Sequence, residues 1–176
     1  MEKEKAAKEA KVEIACVIFR LENNLFSIPI SQLREIAQGC EYISLPGQAE
    51  NVIGLIELRG RYVPVMDLKQ MMHCGASALR PVGRASTEGE GEEAVKTKIL
   101  VADLKAAAGR YVIGLQVDEV IKVHYLDINV VEAAPSTAGS KPTVGIVGLF
   151  KHGREVVRLL DCRKMFTIEM AGVGNL

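Results

Sequence analysis

The residues of this chain that could do chemistry are scattered along it, and few of them form pairs. His73 and Cys74 are adjacent and could supply two metal ligands, but zinc sites need three or four ligands at a characteristic spacing. The other histidines, His124 and His152, lie far away in sequence. The sequence contains neither a Walker motif nor a G-x-G-x-x-G motif. We therefore predict no catalytic residue, no cofactor site and no metal site.

Two carboxylates and two arginines recur in more suggestive places. Asp67 and Asp161 each follow an apolar run and begin the pattern D-x-x-x-M. They could work as a carboxylate pair, but capping of a short helix explains the repeated pattern better. Arg59 and Arg61 flank Gly60 at a turn. Two such arginines are often solvated charges, and they can also bind a partner's carboxylate through paired hydrogen bonds.

The elements that must position these residues read as short strands. "EIACVIFRL" and "LFSIPI" are separated by the turn signal "ENN", which predicts a hairpin. "SQLREIAQ" is a strand or a single helical turn, and we favour the strand. In the second half "KILVADL" and "YVIGLQVDEVIKV" are separated by a turn containing Gly109. The chain is therefore predicted to be rich in β-structure.

These strands form an internal repeat. A single shift of the sequence aligns Phe26 with Ile113, and a similar shift aligns Gly54 with Gly148. Both copies of the second unit read strand, turn with glycine, strand and D-x-x-x-M. Matching order and near-equal shifts predict a two-fold repeat of small β units. The competing explanation is two unrelated hairpins that share a pattern.

Burial can also be predicted from the pattern of apolar residues. The nearly continuous run "NVIGLIEL" predicts a strand buried on both faces, between two layers. Pro64 lies inside the next strand pattern, which predicts an exposed edge there. Cys16 and Cys162 lie in apolar runs and are predicted to be buried free thiols.

Composition narrows the class of protein. The chain has 176 residues, 48% of them hydrophobic, so it can bury a core. Lys plus Arg equals Asp plus Glu, at 22 each, which argues against a nucleic-acid binder. The charged N-terminus does not look like a secretory signal, and no apolar run is long enough to span a bilayer. We expect a cytoplasmic protein that does not insert into a membrane.

At the opening of the repeated unit a family resemblance becomes visible. "NVIGLIELRGRYVPVMDLKQMM" resembles the hallmark segment of the CheW-like chemotaxis coupling proteins, with its glycine-aliphatic run, its Leu-Arg-Gly turn and its Val-Pro-x-x-Asp-Leu strand. "LFSIPISQLREI", "YVIGLQVDEVIKV" and "GIVGLFKHGREVVRLLDCRKMF" are similar to other family segments in the same order. The resemblance covers roughly residues 13–168.

The resemblance implies an all-β fold of two five-stranded β-barrels around a shared hydrophobic core, with short helical pieces. We divide the chain into a flexible charged tail (1–12) and one domain (13–168). The domain consists of two pseudo-repeat barrels, at about 13–79 and 98–168, and an exchange of terminal strands between them is left open. Residues 80–97, rich in glutamate and glycine, are predicted to be a mobile acidic loop.

The resemblance also implies a function. The family consists of non-catalytic adaptors that couple the cytoplasmic tips of methyl-accepting chemoreceptors to the regulatory domain of a CheA-type histidine kinase, itself a CheW-like domain. Such a protein would be recruited to membrane-associated receptor arrays. Carried over by position, the partner-binding residues would be Ile30, Leu33, Glu35, Ile36, Arg59 and Gly60.

Two departures from the family pattern and two alternatives remain. Glu57 replaces the usual asparagine before the Leu-Arg-Gly turn, and "EAAPST" (132–137) lacks the basic and aromatic residues that some members use to assemble rings. Flagellar chemotaxis and a twitching-type pathway are both open. One alternative is a small-ligand or metal-binding protein, or an enzyme, that uses the groove between the barrels. Another is a module of a receiver-domain protein, which the end of the chain at Leu176 disfavours.

Overall fold

Strands make up most of the chain that the computed structural model describes, namely residues 12–47, 49–74, 98–106, 109–134 and 145–167. In chain order they are β1 (Glu13–Leu21), β2 (Asn24–Pro29), β3 (Leu33–Gln38), β4 (Val52–Leu58), β5 (Arg61–Asp67), β6 (Lys98–Ala106), β7 (Gly109–Val117), β8 (Glu119–Asp127), β9 (Ile146–His152) and β10 (Glu155–Leu160). Helices α1 (Leu68–Met71) and α2 (Cys162–Thr167) follow β5 and β10. Short 3-10 helices, Ile30–Gln32 and Ile128–Val130, follow β2 and β8.

The strands form two five-stranded sheets. Sheet I has the order β8-β1-β2-β10-β9, and sheet II has the order β3-β6-β7-β5-β4. Each sheet contains strands from both halves of the sequence. The first five strands correspond in order to the last five, so that β1 matches β6 and β5 matches β10. Replacing each strand of sheet I by its counterpart gives the order of sheet II. The predicted two-fold repeat is therefore confirmed.

The repeat extends to the register of individual residues. In sheet I, Val17 lies opposite Ile28 and Val123. The residue at the same place in sheet II is Leu100, which lies opposite Leu115 and Ile36. The irregularity between β1 and β8 recurs at the matching position between β6 and β3. Equivalent positions in the two sheets can therefore be compared residue by residue.

The predicted hairpin of β1 and β2 is confirmed, whereas the run 111–123 is not one strand. It is interrupted at Asp118 between β7 and β8. The Asp118 carboxylate accepts a hydrogen bond from the Glu22 backbone N–H at 2.7 Å and forms an ion pair with Lys69 at 2.7 Å. These bonds connect the turn to the β1–β2 hairpin and to helix α1.

The hydrophobic residues form three clusters. A shared core between the sheets takes residues from both of them and from both helices. Private core I lies within sheet I, and private core II lies within sheet II. Alternation along a strand explains the division: on β1, Ile18 lies in private core I and Phe19 in the shared core. On β6, Val101 lies in private core II and Leu100 in the shared core.

The prediction that "NVIGLIEL" lies between two layers is wrong. This run forms β4, which is an outer strand of sheet II, and its buried residues Ile53 and Ile56 belong to private core II. Strands buried on both faces include β1, β2 and β6. The run looks continuous because a register irregularity near Ile53 interrupts the alternation.

Pro64 is placed differently from the prediction as well. It lies on β5, an inner strand paired with both β4 and β7. The pairing with β7 begins only at Val65, so the proline lies just outside that ladder. The missing N–H is therefore tolerated at the end of a pairing and does not require a sheet edge.

Neither sheet closes into a complete barrel by continuous pairing within the described residues. Instead one isolated β-bridge pairs with an outer strand of each sheet. Ile43 pairs with Leu55 on β4, and Glu132 pairs with Leu149 on β9. Gly54 and Gly148 precede the bridged residues Leu55 and Leu149, and their lack of a side chain lets the bridging segment come close to the strand. A Cβ at residue 54 would lie 2.8 Å from the Ile43 carbonyl oxygen. The close packing explains why the glycine recurs in both copies.

The predicted capping is confirmed. Asp67 is the N-cap of α1, and its side chain accepts a hydrogen bond from the Gln70 N–H. Asp161 precedes α2 and accepts from the Arg163 N–H. All four cysteines are free, and Cys16 and Cys162 are buried as predicted. Burial raises the pKa of Cys162 to about 12.

Some predictions fall on residues that the structure does not describe. The acidic loop 80–97 lies outside the described residues, and so does the charged tail except for Val12. In the described ranges, no helix has the length and apolar character needed to cross a bilayer.

Candidate partner-binding site

The two outer strands of each sheet face each other across a gap, which we call a seam. Seam I lies between β8 and β9 of sheet I, and seam II lies between β3 and β4 of sheet II. The bridge of Ile43 with Leu55 lies at seam II, and the bridge of Glu132 with Leu149 lies at seam I. The six residues expected to bind partners all lie at or beside seam II.

Four of these residues belong to β3 and the 3-10 helix before it. Ile30 and Ile36 are exposed, at 37% and 45% of their surface. Leu33 is partly buried against the shared core, so it has a packing role whatever else it does. Glu35 lies between Leu33 and Ile36 and is partly exposed.

The remaining two, Arg59 and Gly60, form the two-residue turn that joins β4 to β5. Both have positive φ, at 52° and 74°, which is the pattern of a type I′ turn. Glycine adopts this conformation without steric cost, whereas an ordinary residue there costs about 1–3 kcal/mol. Arg59 therefore occupies a backbone conformation that favours glycine.

An ion pair joins the two segments across seam II. Arg59 Nη2 donates to Glu35 Oε2 at 2.9 Å. The Arg59 side chain is 77% exposed and that of Glu35 is 23% exposed. A pair so open to water contributes at most about 1 kcal/mol to stability. The pair connects the β4–β5 turn to β3, and the guanidinium, a group with five N–H donors, stays largely open to water.

The site has an apolar face and a charged face. Successive strand residues point to opposite faces, and the register follows this rule. Ile36 lies opposite Leu100 of the shared core, whereas Glu35 lies opposite Val101 of private core II. Leu33 and Ile36 therefore extend the edge of the shared core, while Glu35 belongs to the opposite face, together with Ala37 of private core II.

Three exposed apolar residues near seam II were not predicted. Ile43 and Leu45 lie in the segment that runs beside β4, and Tyr62 lies on β5 with 64% of its surface exposed. The sequence signal was available in "YISLPG", where large apolar residues occur within a glycine- and proline-containing loop. They add to the apolar surface around the turn of Arg59 and Gly60.

His73 and Cys74 do not form a metal site with described neighbours. The Cys74 thiol donates to the Met72 carbonyl at 3.6 Å and lies against the shared core. Burial raises the pKa of this thiol. Across the described ranges, no group of three or more His, Cys, Asp and Glu side chains is placed to hold a metal ion.

Comparison with known proteins gives a consistent result. The family model described as CheW-like domain matches residues 15–170. The chemotaxis protein CheW of Bacillus subtilis is 21% identical over 161 residues, covering 92% of each chain. CheW of Klebsiella aerogenes is 26% identical over 161 residues, covering 91% of this chain and 86% of the relative.

The fold also matches a solved structure. The scaffolding protein TtCheW of Thermoanaerobacter tengcongensis superposes with a TM-score of 0.67 at 22% identity, over 89% of this chain and 94% of that one. This chain therefore shares the fold of that scaffolding protein over nearly its whole length. The family match covers most of the sequence, and the chain therefore belongs to the CheW-like domain family.

Proposed function

We propose that this chain is a non-catalytic adaptor that couples the cytoplasmic tip of a methyl-accepting chemoreceptor to the regulatory domain of a CheA-type histidine kinase. It acts in the cytoplasm and is recruited to membrane-associated receptor arrays. Its relatives named CheW are chemotaxis proteins, and its structural neighbour is described as a scaffolding protein. Neither binding event requires a reaction, so the chain acts through its surfaces.

The observation that carries the proposal is the construction of seam II. Its rim combines exposed apolar residues with an ion pair that fixes Arg59 in a strained turn. In protein interfaces a few apolar or arginine anchors supply most of the affinity, and charges set register and specificity. Ile30 and Ile36 are the apolar anchors in this proposal, and Glu35 with Arg59 supplies the charges.

The test is calorimetric titration of the purified protein against the regulatory domain of a CheA-type kinase from the same organism. The variant is Ile36→Glu, because Ile36 is exposed and its replacement leaves the cores intact. We expect the substitution to weaken binding by tenfold or more. Leu33→Glu is less informative because Leu33 also packs against the shared core.

The matched control is Val123→Glu, at the position of sheet I that corresponds to Ile36 and is 52% exposed. It should bind like the unmodified protein. If Ile36→Glu binds normally and Val123→Glu does not, the docking surface lies on sheet I. Absence of binding to every such kinase of the organism would refute the adaptor function. A pull-down with a receptor tip fragment tests the second partner, with Arg59→Ala as the variant.

A further inference from the structure

Seam I contains a histidine pair that has no counterpart in seam II. The His124 and His152 rings meet edge to face with centroids 4.9 Å apart. The His124 ring also stacks on Phe150, at 5.8 Å and an interplanar angle of 9°. His124 lies on β8, whereas Phe150 and His152 lie on β9. These side chains therefore bring the two outer strands of sheet I together.

The equivalent positions in seam II are apolar. Ala37 corresponds to His124, because each lies opposite the matching residue of the neighbouring strand, Ile99 or Cys16. Ile56 and Leu58 correspond to Phe150 and His152 in the same way. Ala37 and Ile56 are buried in private core II, and Leu58 packs against it. The same junction is thus built from hydrocarbon in one sheet and from imidazoles in the other.

The groups around the pair determine how it responds to protons. Lys122 on β8 and Lys151 on β9 are exposed cations in the two seam strands, and Glu155 lies opposite His152 on β10. From β1, the Cys16 thiol donates to the His124 carbonyl at 3.3 Å, and burial raises the pKa of that thiol. Cys16 is therefore neutral and offers no charge to balance an imidazolium.

We propose that the His124–His152 pair makes seam I a pH-sensitive closure, which is packed when the His124 ring is neutral and loosens when that ring takes up a proton. A charged imidazole packs poorly against two neighbouring rings in partly buried surroundings. Separation of the rings releases β8 from β9 and weakens the bridge of Glu132 with Leu149. Seam II has no titratable group at the equivalent positions and keeps its bridge.

The pH range follows from the direction of the shift. Burial, then His152, then Lys122 lower the pKa of His124 below the ordinary 6.5. The unfolded chain therefore takes up this proton at a higher pH than the folded chain does. The contribution of His124 to stability is complete above pH 6.5. It declines as the pH falls below 6.5 and is fully lost below the folded pKa.

The experiment is amide hydrogen exchange followed by NMR between pH 7.5 and 5.5, with rates corrected for intrinsic exchange. The amides of Glu132 and Leu149 form the bridge of seam I, and those of Ile43 and Leu55 form the bridge of seam II. We expect protection at Glu132 and Leu149 to fall by about threefold or more over this range as the His124 imidazole takes up its proton. Protection at Ile43 and Leu55 should stay constant.

Variants separate this closure from a general loss of stability. The double variant His124→Ala, His152→Leu places the seam II residues in seam I and should abolish the pH dependence. His73→Gln removes the exposed histidine outside the seams and should preserve it. An unchanged pH dependence in the double variant, or an equal loss of protection at both bridges in the unmodified protein, overturns the proposal.

One measurement needs no substitution and remains decisive if the double variant does not fold. The His124 imidazole signal of the unmodified protein should titrate with a midpoint below 6.5. A midpoint at or above 6.5 would mean that seam I accommodates the charged ring, which contradicts a closure opened by protonation.

Discussion

Sheets I and II share strand order, register and bridge position, yet they differ in the chemistry at equivalent positions. Phe19 of sheet I corresponds to Ala102 of sheet II, and Arg20 corresponds to Asp103. On the outer strands, Glu35 of sheet II corresponds to Lys122 of sheet I. The backbone pattern therefore tolerates reversal of charge and large changes of volume.

The difference teaches which features the fold requires and which are free to specialise. Glycines before the bridges and aspartates before the helices occur in both sheets, because backbone packing and helix capping depend on them. Side chains at the seams differ, so the backbone framework does not require particular residues there. An ion pair at one rim and an imidazole pair at the other give the molecule two unlike ends on one framework.

The largest effect is expected in the shared core. Phe19 stacks on Phe26 with ring centroids 6.0 Å apart and is fully buried in the shared core, whereas the equivalent residue of sheet II is the small Ala102. Phe19→Ala removes this large side chain from the shared core and should lower the free energy of unfolding by about 4 kcal/mol. Chemical denaturation measures this change. A loss below about 1 kcal/mol would mean that the two sheets do not share one packed core.

The bridges should differ in their tolerance of a methyl group. At residue 54 a Cβ would meet a backbone oxygen at 2.8 Å, whereas at residue 148 its nearest contact is the Val131 side chain. Gly54→Ala should cost about 2 kcal/mol and Gly148→Ala about 1 kcal/mol, since a side chain can move more easily than backbone. Thermal and urea unfolding of both variants provide the comparison. Equal costs would show that the Glu132 backbone, 3.0 Å away, is the real obstacle at seam I.

Exchange of charge at the outer strands should affect binding more than stability. Glu35→Lys gives seam II the residue that sheet I has at Lys122, and it removes the ion pair with Arg59. We expect at least tenfold weaker binding to the kinase regulatory domain, about 1.4 kcal/mol, with stability changed by less than about 1 kcal/mol. The reverse exchange, Lys122→Glu, should leave binding unchanged. Calorimetry measures binding of both variants to the kinase regulatory domain. An equal loss of affinity in Glu35→Lys and Lys122→Glu would contradict the assignment of binding to seam II.

The smallest effect is expected at the ion pair between β6 and β7, formed by Asp103 and Arg110. Hydrogen bonds from Arg110 hold the pKa of Asp103 below its usual 3.8, so this pair stabilises the fold above pH 3.8 and the contribution is lost as the pH falls through the folded pKa. Arg110→Ala should raise the Asp103 pKa toward 3.8, as measured by NMR. Both side chains lie near the surface, so the unfolding midpoint at neutral pH should barely move. An unchanged Asp103 pKa would show that the hydrogen bonds are not maintained in solution.

Local features of the fold could be predicted from the sequence. The β1–β2 hairpin, the two helix caps and the buried thiols follow from the types of residues that are close together in the sequence. The position of the doubly buried strands could not be predicted in this way. β1 and "NVIGLIEL" are similarly apolar, and what separates them is pairing with strands far away in sequence, which leaves no local pattern.

The candidate site shows the same limit. The family resemblance implied that Glu35 and Arg59 bind partners, but their ion pair depends on how seam II brings β3 beside the β4–β5 turn. The His124–His152 contact was missed because the two residues are 28 positions apart in the printed sequence and share no motif. An alignment of the two repeats would have matched His124 with Ala37 and His152 with Leu58. Comparison of the two halves was therefore the available signal.

The mixing of both halves in each sheet has a consequence during synthesis. All strands of sheet II are present once the ribosome has passed Val117, whereas sheet I cannot be completed until Leu160 has emerged. β1 and β2 leave the ribosome first, yet they wait for β8, β9 and β10 with apolar residues such as Phe19 and Phe26 uncovered. The growing chain is thus most exposed to aggregation in its oldest segment, and the final strands serve to cover it.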